Sequence, residues 1–215
     1  MANFMDHKPV YYGEYLQLNK ILNAQEPESG KDGKTMAHDE MLFIIIHQSY
    51  ELWFKQLLFE VNSIIDIMDK PRVNDNSGDM QAVVHRLSRV IVILRMLVQK
   101  IDILDTMTPM DFLDFRDMLR PASGFQSWQF KVLEARLGLK FDSRYGQQYY
   151  LSQLHQNEIN IIKDAEKGKS VVQLLNSWLE RMPFAEDKKY WPGEATYWTE
   201  YEKIFTGSLS EAEKN

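Results

Sequence analysis

Two charged or titratable side chains stand where apolar ones are expected. His47 lies between Phe43 and Tyr50 on the apolar stripe of a helical pattern. Burying an imidazole without a hydrogen-bond partner costs on the order of 1–3 kcal/mol, so something must satisfy it. Two readings stay open: a core histidine bonded to a neighbouring side chain, or a ligand or catalytic group facing a cavity between helices. Arg116 falls between Phe112, Phe115 and Leu119, just before a Pro-Ala-Ser-Gly turn. It can pair with Asp114, Asp117 or a capped carbonyl, or serve as a bidentate clamp for a carboxylate. With Phe43 and the tyrosines of Tyr11-Tyr12-Gly13-Glu14-Tyr15-Leu16, these residues describe a pocket of aromatic walls, one imidazole and one carboxylate clamp. An aromatic amino acid matches it. No acid/base dyad, nucleophile triad or metal-carboxylate set accompanies them, so difficult chemistry needs a cofactor.

The element that carries His47 runs from residue 38 to 69. Phe43, Tyr50, Phe54, Leu58, Val61, Ile65 and Met68 recur at steps of three, four or seven, with Ile46, Trp53, Leu57 and Ile64 as a second stripe beside them. Glu51 and Lys55 form an i,i+4 pair that marks the wetter side. Asp39 and Glu40 favour the positive end of the helix dipole, and Pro71 ends the pattern. A second long helix follows on Met80, Val83, Val84, Leu87, Val90, Ile91, Leu94, Leu97, Val98, Ile101 and Leu104, pairing with the first as an antiparallel hairpin. His85 lies off that stripe and points to solvent.

The shorter elements are read from their ends. Thr108 is an N-cap, with Pro109 at the first helical position and Asp111 at the third. Phe125 to Leu137 form a helix closed by Gly138. Residues 147–163 and 170–181 are helical, 184–197 loop-like, and a last helical piece carries Trp198, Tyr201, Ile204 and Phe205. Residues 25–34 are a polar loop, and Leu16, Leu18 and Leu22 begin a short helix. Strand-like alternation, phosphate loops and HExxH motifs are absent, so the fold class is all-α: a helical bundle with two long antiparallel helices and several shorter ones. Its organisation is an arm and loop over 1–37, a core over 38–183, and a closing segment over 184–215.

Composition narrows the function. The 215 residues are 44% hydrophobic and 12% aromatic, enough for a full core. A net charge of −6 offers no basic face for nucleic acid. Cysteine is absent, which excludes disulfides and thiolate chemistry. No apolar run approaches the ~18 residues of a membrane span, and the N-terminus lacks a signal pattern. A cytoplasmic protein is the expectation.

Several long segments together carry a resemblance: YGEYLQLNKILNAQ, HDEMLFIIIHQSYELWFKQLLFE, LDTMTPMDFLDFRDMLRPASGFQSWQF and NSWLERMP. They are similar to the tryptophan 2,3-dioxygenase family, from about Tyr12 to about Pro183. The resemblance implies an all-α haem b enzyme that inserts dioxygen across the indole 2,3 bond of L-tryptophan to give N-formylkynurenine. It also implies a homotetramer in which one subunit's N-terminal segment completes its neighbour's pocket. By matching motif, His47 takes the place of the distal histidine that hydrogen-bonds the indole N–H. Phe43 becomes an indole wall and Arg116 the carboxylate clamp. Tyr12, Tyr15 and Leu16 cover the indole from the adjacent subunit, and Ser123 and Gly124 line the distal side of the haem. Phe112 stands where some members have tyrosine, which removes one hydroxyl near the clamp.

The family's proximal haem ligand, a histidine, lies in a C-terminal helical half, which nothing after Pro183 resembles. The chain is therefore expected to be the distal-side portion, truncated or complemented by another polypeptide. Of its five histidines, His47 is assigned to the distal side, His7 lies in a loose arm, His38 at a helix start and His85 off the apolar stripe. His155 falls with Leu151, Ile159 and Ile162 at steps of four, four and three, yet among polar neighbours; a hydrogen-bonded or exposed role is expected, so no metal ligand is assigned. Two functions remain: a haem dioxygenase subunit, or an inactive helical module that binds an indole ligand or a partner chain without turnover.

Overall fold

The computed structural model describes residues 9–31, 33, 35–139, 152–181, 188, 191, 193 and 195–209. Among them the fold is all-α, with no strand. Two single turns, α1 (Tyr12–Tyr15) and α2 (Leu18–Ile21), lead through a loop to α3 (His38–Met68). Then come α4 (Gly78–Gln99), α5 (Ile101–Leu104) and α6 (Pro109–Arg116). Two 3₁₀ turns, Asp117–Leu119 and Gly124–Gln126, precede α7 (Trp128–Leu137). The helices α8 (Gln156–Lys167), α9 (Val171–Glu180) and α10 (Tyr197–Ser208) follow.

The expected hairpin of α3 and α4 is present, and its polar contacts fix its direction. Lys100 Nζ donates to Ser49 Oγ at 3.1 Å, Arg89 Nη1 to Glu60 at 2.6 Å and Lys70 Nζ to Asp79 at 2.6 Å. As the α3 number rises, the partner number falls in step, which only an antiparallel pair allows. Helix α3 also packs on α6, α7 and α9, and α7 packs on α8. The core joins Leu57, Val61 and Ile64 of α3 to Val90 and Leu97 of α4, with Leu133, Ile162 and Leu174 from the shorter helices.

Burial along α3 is graded. From Leu57 to Met68 its apolar residues other than Phe59 are buried, whereas Phe43, His47, Tyr50 and Phe54 are half-buried. The second stripe, through Ile46, Leu57 and Ile64, is therefore the deeper one, and the first opens toward a cleft in its N-terminal half. Two further stripes stay exposed at seven-residue spacing: Ile45, Leu52 and Phe59 on α3, and Val84, Ile91 and Val98 on α4.

Helix ends follow local chemistry. Thr108 and Asp111 form the reciprocal cap, with Asp111 accepting from the Thr108 amide at 2.9 Å and Thr108 Oγ1 from the Asp111 amide at 3.3 Å. Gly138 closes α7 at φ 112°, a conformation that favours glycine. Helix α7 starts at Trp128 rather than Phe125, because Ser127 Oγ accepts from the Phe130 amide at 3.2 Å and holds Phe125 in the preceding 3₁₀ turn. Helix α8 starts at Gln156, where Glu158 accepts from the His155 amide at 2.9 Å. The reading of helix from 147 is thereby shortened, with 147–151 outside the described residues. His155 is exposed at that cap, as is His85 on α4.

Candidate functional site

The open half of α3 forms the floor of a cleft of about 850 Å³. Phe43, His47 and Glu51 line it from α3, Arg116 from the end of α6, and Ser123, Gly124 and Trp128 from the turn into α7. Glu26 and Glu28, from the loop before α3, close the remaining side. Pockets of roughly 300–1,000 Å³ suit cofactors and small ligands.

His47 is oriented by its own helix. Its Nδ1 lies 2.7 Å from the Phe43 carbonyl, four residues back. A carbonyl only accepts, so Nδ1 carries the proton and Nε2 of the neutral ring is left as an acceptor. The phenyl ring of Phe43 lies against the imidazole with centroids 4.1 Å apart, fixing it further. Of the two readings of His47, the bond goes to backbone rather than to a neighbouring side chain, and the ring lines a cavity.

Arg116 reaches the same cleft from a cap-anchored helix. Phe115 is completely buried beside it and packs on Phe43 and Phe112, with centroids 5.6 and 5.4 Å away. The guanidinium carbon sits 5.6 Å from the Phe112 ring centroid, a cation–π contact. Among the described residues Arg116 has no salt bridge, and Asp117 pairs with Arg120 at 3.1 Å instead. Phe112 itself stands behind Phe43, 5.6 Å away, and does not line the cleft.

The structure brings together Phe43, His47, Arg116, Ser123 and Gly124. It does not bring in the arm: Tyr12 and Tyr15 are each 75% exposed, Leu16 is half-buried, and none of the three lines this chain's own cleft.

Sequence reasoning missed two carboxylates. Glu51 does not bridge to Lys55; its Oε2 accepts from Gln129 Nε2 at 2.8 Å, as its carbonyl does at 3.0 Å. Glu40, read as a dipole partner, is fully buried and binds the preceding loop. It accepts from the Glu28 amide at 2.7 Å, the Ser29 amide at 3.0 Å and the Ser29 hydroxyl. Burial pulls the Glu40 carboxyl upward, but the Ser29 hydroxyl and the two amides outweigh it and hold the group below the usual glutamate range. A first-turn acid with Ser and Gly a dozen residues upstream was the signal available, and it is a faint one.

Among the described residues no three His, Cys, Asp or Glu side chains are grouped to hold a metal ion, and no helix is long and apolar enough to cross a membrane. His47 is the one imidazole among the described lining residues.

The chain is 41% identical to the tryptophan 2,3-dioxygenase of Bdellovibrio bacteriovorus, over 98% of this chain and 58% of that protein. It is 48% identical to that of Alteromonas mediterranea, over 86% and 51%, and 46% identical to that of Dictyostelium discoideum, over 90% and 47%. The chain thus spans about half the length of the curated relatives it matches. The profile of the family described as tryptophan 2,3-dioxygenase matches residues 2–215, so the likeness runs on past Pro183 and takes in α10. On this match and these identities, the chain belongs to the tryptophan 2,3-dioxygenase family.

Proposed function

We propose that this chain forms the distal, substrate-holding wall of a haem-dependent dioxygenase that inserts dioxygen across the indole 2,3 bond of L-tryptophan, giving N-formylkynurenine. The observation that carries the reading is the contact of His47 Nδ1 with the Phe43 carbonyl. A carbonyl accepts the Nδ1 hydrogen bond, which in the neutral ring leaves Nε2 to accept, and the ring lines a cleft that also holds Arg116. An indole N–H is a donor, and a carboxylate matches a guanidinium. The two ends of tryptophan thus meet complementary groups, with the Phe43 ring as the apolar wall between them.

The residues fit one face of a flat cofactor. A Cβ built on Gly124 meets nothing within 4 Å, so the turn presents bare backbone to open space. Ser123, Gly124 and Phe43 would border haem on its distal side. Haem bound there would supply the activation of dioxygen. His47 orients the indole and holds its N–H, Arg116 fixes the carboxylate, and Phe43 and Trp128 exclude water. A histidine to hold the iron would come from outside the described residues, since His38, His85 and His155 are exposed on other elements. The C-terminal half of the family would supply it, on the same chain or on a complementing polypeptide. The exposed Tyr12 and Tyr15, with Leu16, cover the cleft of a neighbouring subunit in a homotetramer.

The test is spectroscopic. Residues 1–215 alone are expected not to give the spectrum of five-coordinate, histidine-ligated ferrous haem, and adding the C-terminal portion of a relative in trans restores it. Such a spectrum from the chain alone, abolished by His155→Ala, overturns the assignment. An assembly that binds indole ligands but never haem supports the inactive binding module instead.

His47 has its own test in that assembly. Wild type is expected to prefer L-tryptophan over its N1-methyl derivative, which cannot donate to Nε2. His47→Ala narrows that preference by about two- to tenfold, the worth of one neutral hydrogen bond of ~0.5–1.5 kcal/mol. Turnover falls while the helical circular dichroism is kept. Unfolding on substitution returns His47 to a purely structural role.

A further inference from the structure

The loop before α3 is one wall of the cleft, and two α3 side chains that line the cleft hold it in place. Glu40 gathers the Glu28 and Ser29 amides and the Ser29 hydroxyl, and Ser29 Oγ in turn accepts from the Ala37 amide at 2.9 Å. The loop is thereby closed on itself from residue 28 to 37 around one buried carboxylate. Ser29 is buried as well, in a stretch otherwise mostly exposed. About two turns further along α3, Gln48 ties down the other end. Its Nε2 donates to the Ala24 carbonyl at 2.8 Å, and its Oε1 accepts from Gln25 Nε2 at 2.6 Å. Gln48 is the residue after His47. Glu26 lies between the two anchor points and Glu28 at one of them, and both line the cleft.

A loop of this composition, with Gly30, Gly33 and Pro27, has little apolar surface to bury. Between Glu26 and Met36 its described residues show one internal backbone hydrogen bond, from the Lys31 amide to the Glu28 carbonyl at 3.2 Å. The side-chain bonds from Glu40, Ser29 and Gln48 are its ties to α3. A wall that is already in place before the ligand arrives need not be ordered at the moment of binding, and preorganisation of this kind raises affinity without touching the ligand.

We propose that Glu40, Ser29 and Gln48 are positioning residues that latch the segment from 24 to 37 against α3 and so hold one wall of the ligand cleft closed. The proposal rests on the reading of the cleft as the indole site. It separates in kind from the role of Arg116. The clamp recognises one end of the ligand, whereas the latch sets how well any occupant is enclosed. Loss of the latch therefore weakens all indole ligands alike.

The experiment uses the assembly of this chain with its complementing portion, and compares L-tryptophan with 3-methylindole, which has no carboxylate. Ser29→Ala removes the hydroxyl at the hub while leaving α3 intact, and Gln48→Ala removes the second anchor. Glu40→Gln tests the carboxylate directly, with Glu40→Asp as the conservative variant. Ser29→Ala and Gln48→Ala are each expected to weaken both ligands by the same factor, roughly three- to tenfold. They also speed amide exchange across 24–37 without changing exchange in the core half of α3 or the melting temperature by more than a few degrees. Glu40→Asp restores part of what Glu40→Gln loses. Unchanged exchange in the segment, or faster exchange with unchanged affinity for both ligands, overturns the latch while leaving the cleft reading intact. A wild-type assembly that takes neither ligand overturns the cleft reading and the latch with it.

Discussion

Replacing Arg116 by alanine is expected to weaken L-tryptophan binding by about ten- to a hundredfold and to leave 3-methylindole nearly untouched. A charge-assisted bidentate pair contributes about 1.5–3 kcal/mol, which sets that range. The guanidinium is half-buried at the cleft wall and stands over the Phe112 ring. Among the described residues no carboxylate already neutralises it, because Asp117 is taken by Arg120. Arg116→Lys keeps the charge but loses the planar fork, so it recovers only part of the affinity. Titration calorimetry with the two ligands decides the matter. Equal losses for both show that Arg116 supports the wall rather than the ligand.

The second large effect is on stability. Phe115→Ala is expected to cost about 3–5 kcal/mol, the usual range for removing a completely buried phenylalanine. In a domain of this size that lowers the melting temperature on the order of 10 °C. The reason for choosing Phe115 over an aliphatic core residue is its place. Its ring meets both Phe43 and Phe112, so it joins α6 to the cleft half of α3. Truncation opens a cavity between the helix that carries Arg116 and the one that carries His47. Both ligands should then bind less well in addition to the thermal loss. Phe115→Leu, which keeps most of the volume, is expected to cost under about 1.5 kcal/mol. A Phe115→Ala variant that melts within about 3 °C of wild type would show that α6 is held by something other than this contact.

Much of the fold was legible because its causes are local. The apolar period of α3, the α4 stripe and the Thr108 cap all rest on residues within a turn or two of one another. The start of α7 was misplaced by three residues because Ser123 and Ser127 are both good caps, and Phe125 fits the helical period as well as Trp128 does. The cleft was partly legible. His47 and Arg116 betrayed themselves as polar groups among aromatics, and the structure does put them in one cavity. Glu40 and Glu51 were not legible in the same way. Each sits at a position with an adequate local explanation, a helix dipole for one and Lys55 for the other. Their actual partners lie 11 or 12 and 78 residues away. A local rule has no means of ranking a distant partner above a near one.

The graded burial of α3 has a mechanical consequence. The cleft floor and the most deeply buried part of the core are two halves of one unbroken helix of 31 residues. To bend the floor is to strain the packing at Leu57, Val61 and Ile64, which are completely buried. Close-packed interiors resist deformation and pass strain along rather than absorbing it. What compliance the site has therefore lies in its other walls, and of these the loop ahead of α3 is itself tied to the rod by Glu40 and Gln48. Neither of these side chains bonds the 3₁₀ turns between α6 and α7. Short connections of this kind move in nanoseconds to microseconds, whereas the rod yields only with collective unfolding. A ligand entering this cleft meets one surface that acts as an anvil, one wall bolted to it, and one that acts as a hinged jaw. The rhythm of entry and escape belongs to the jaw.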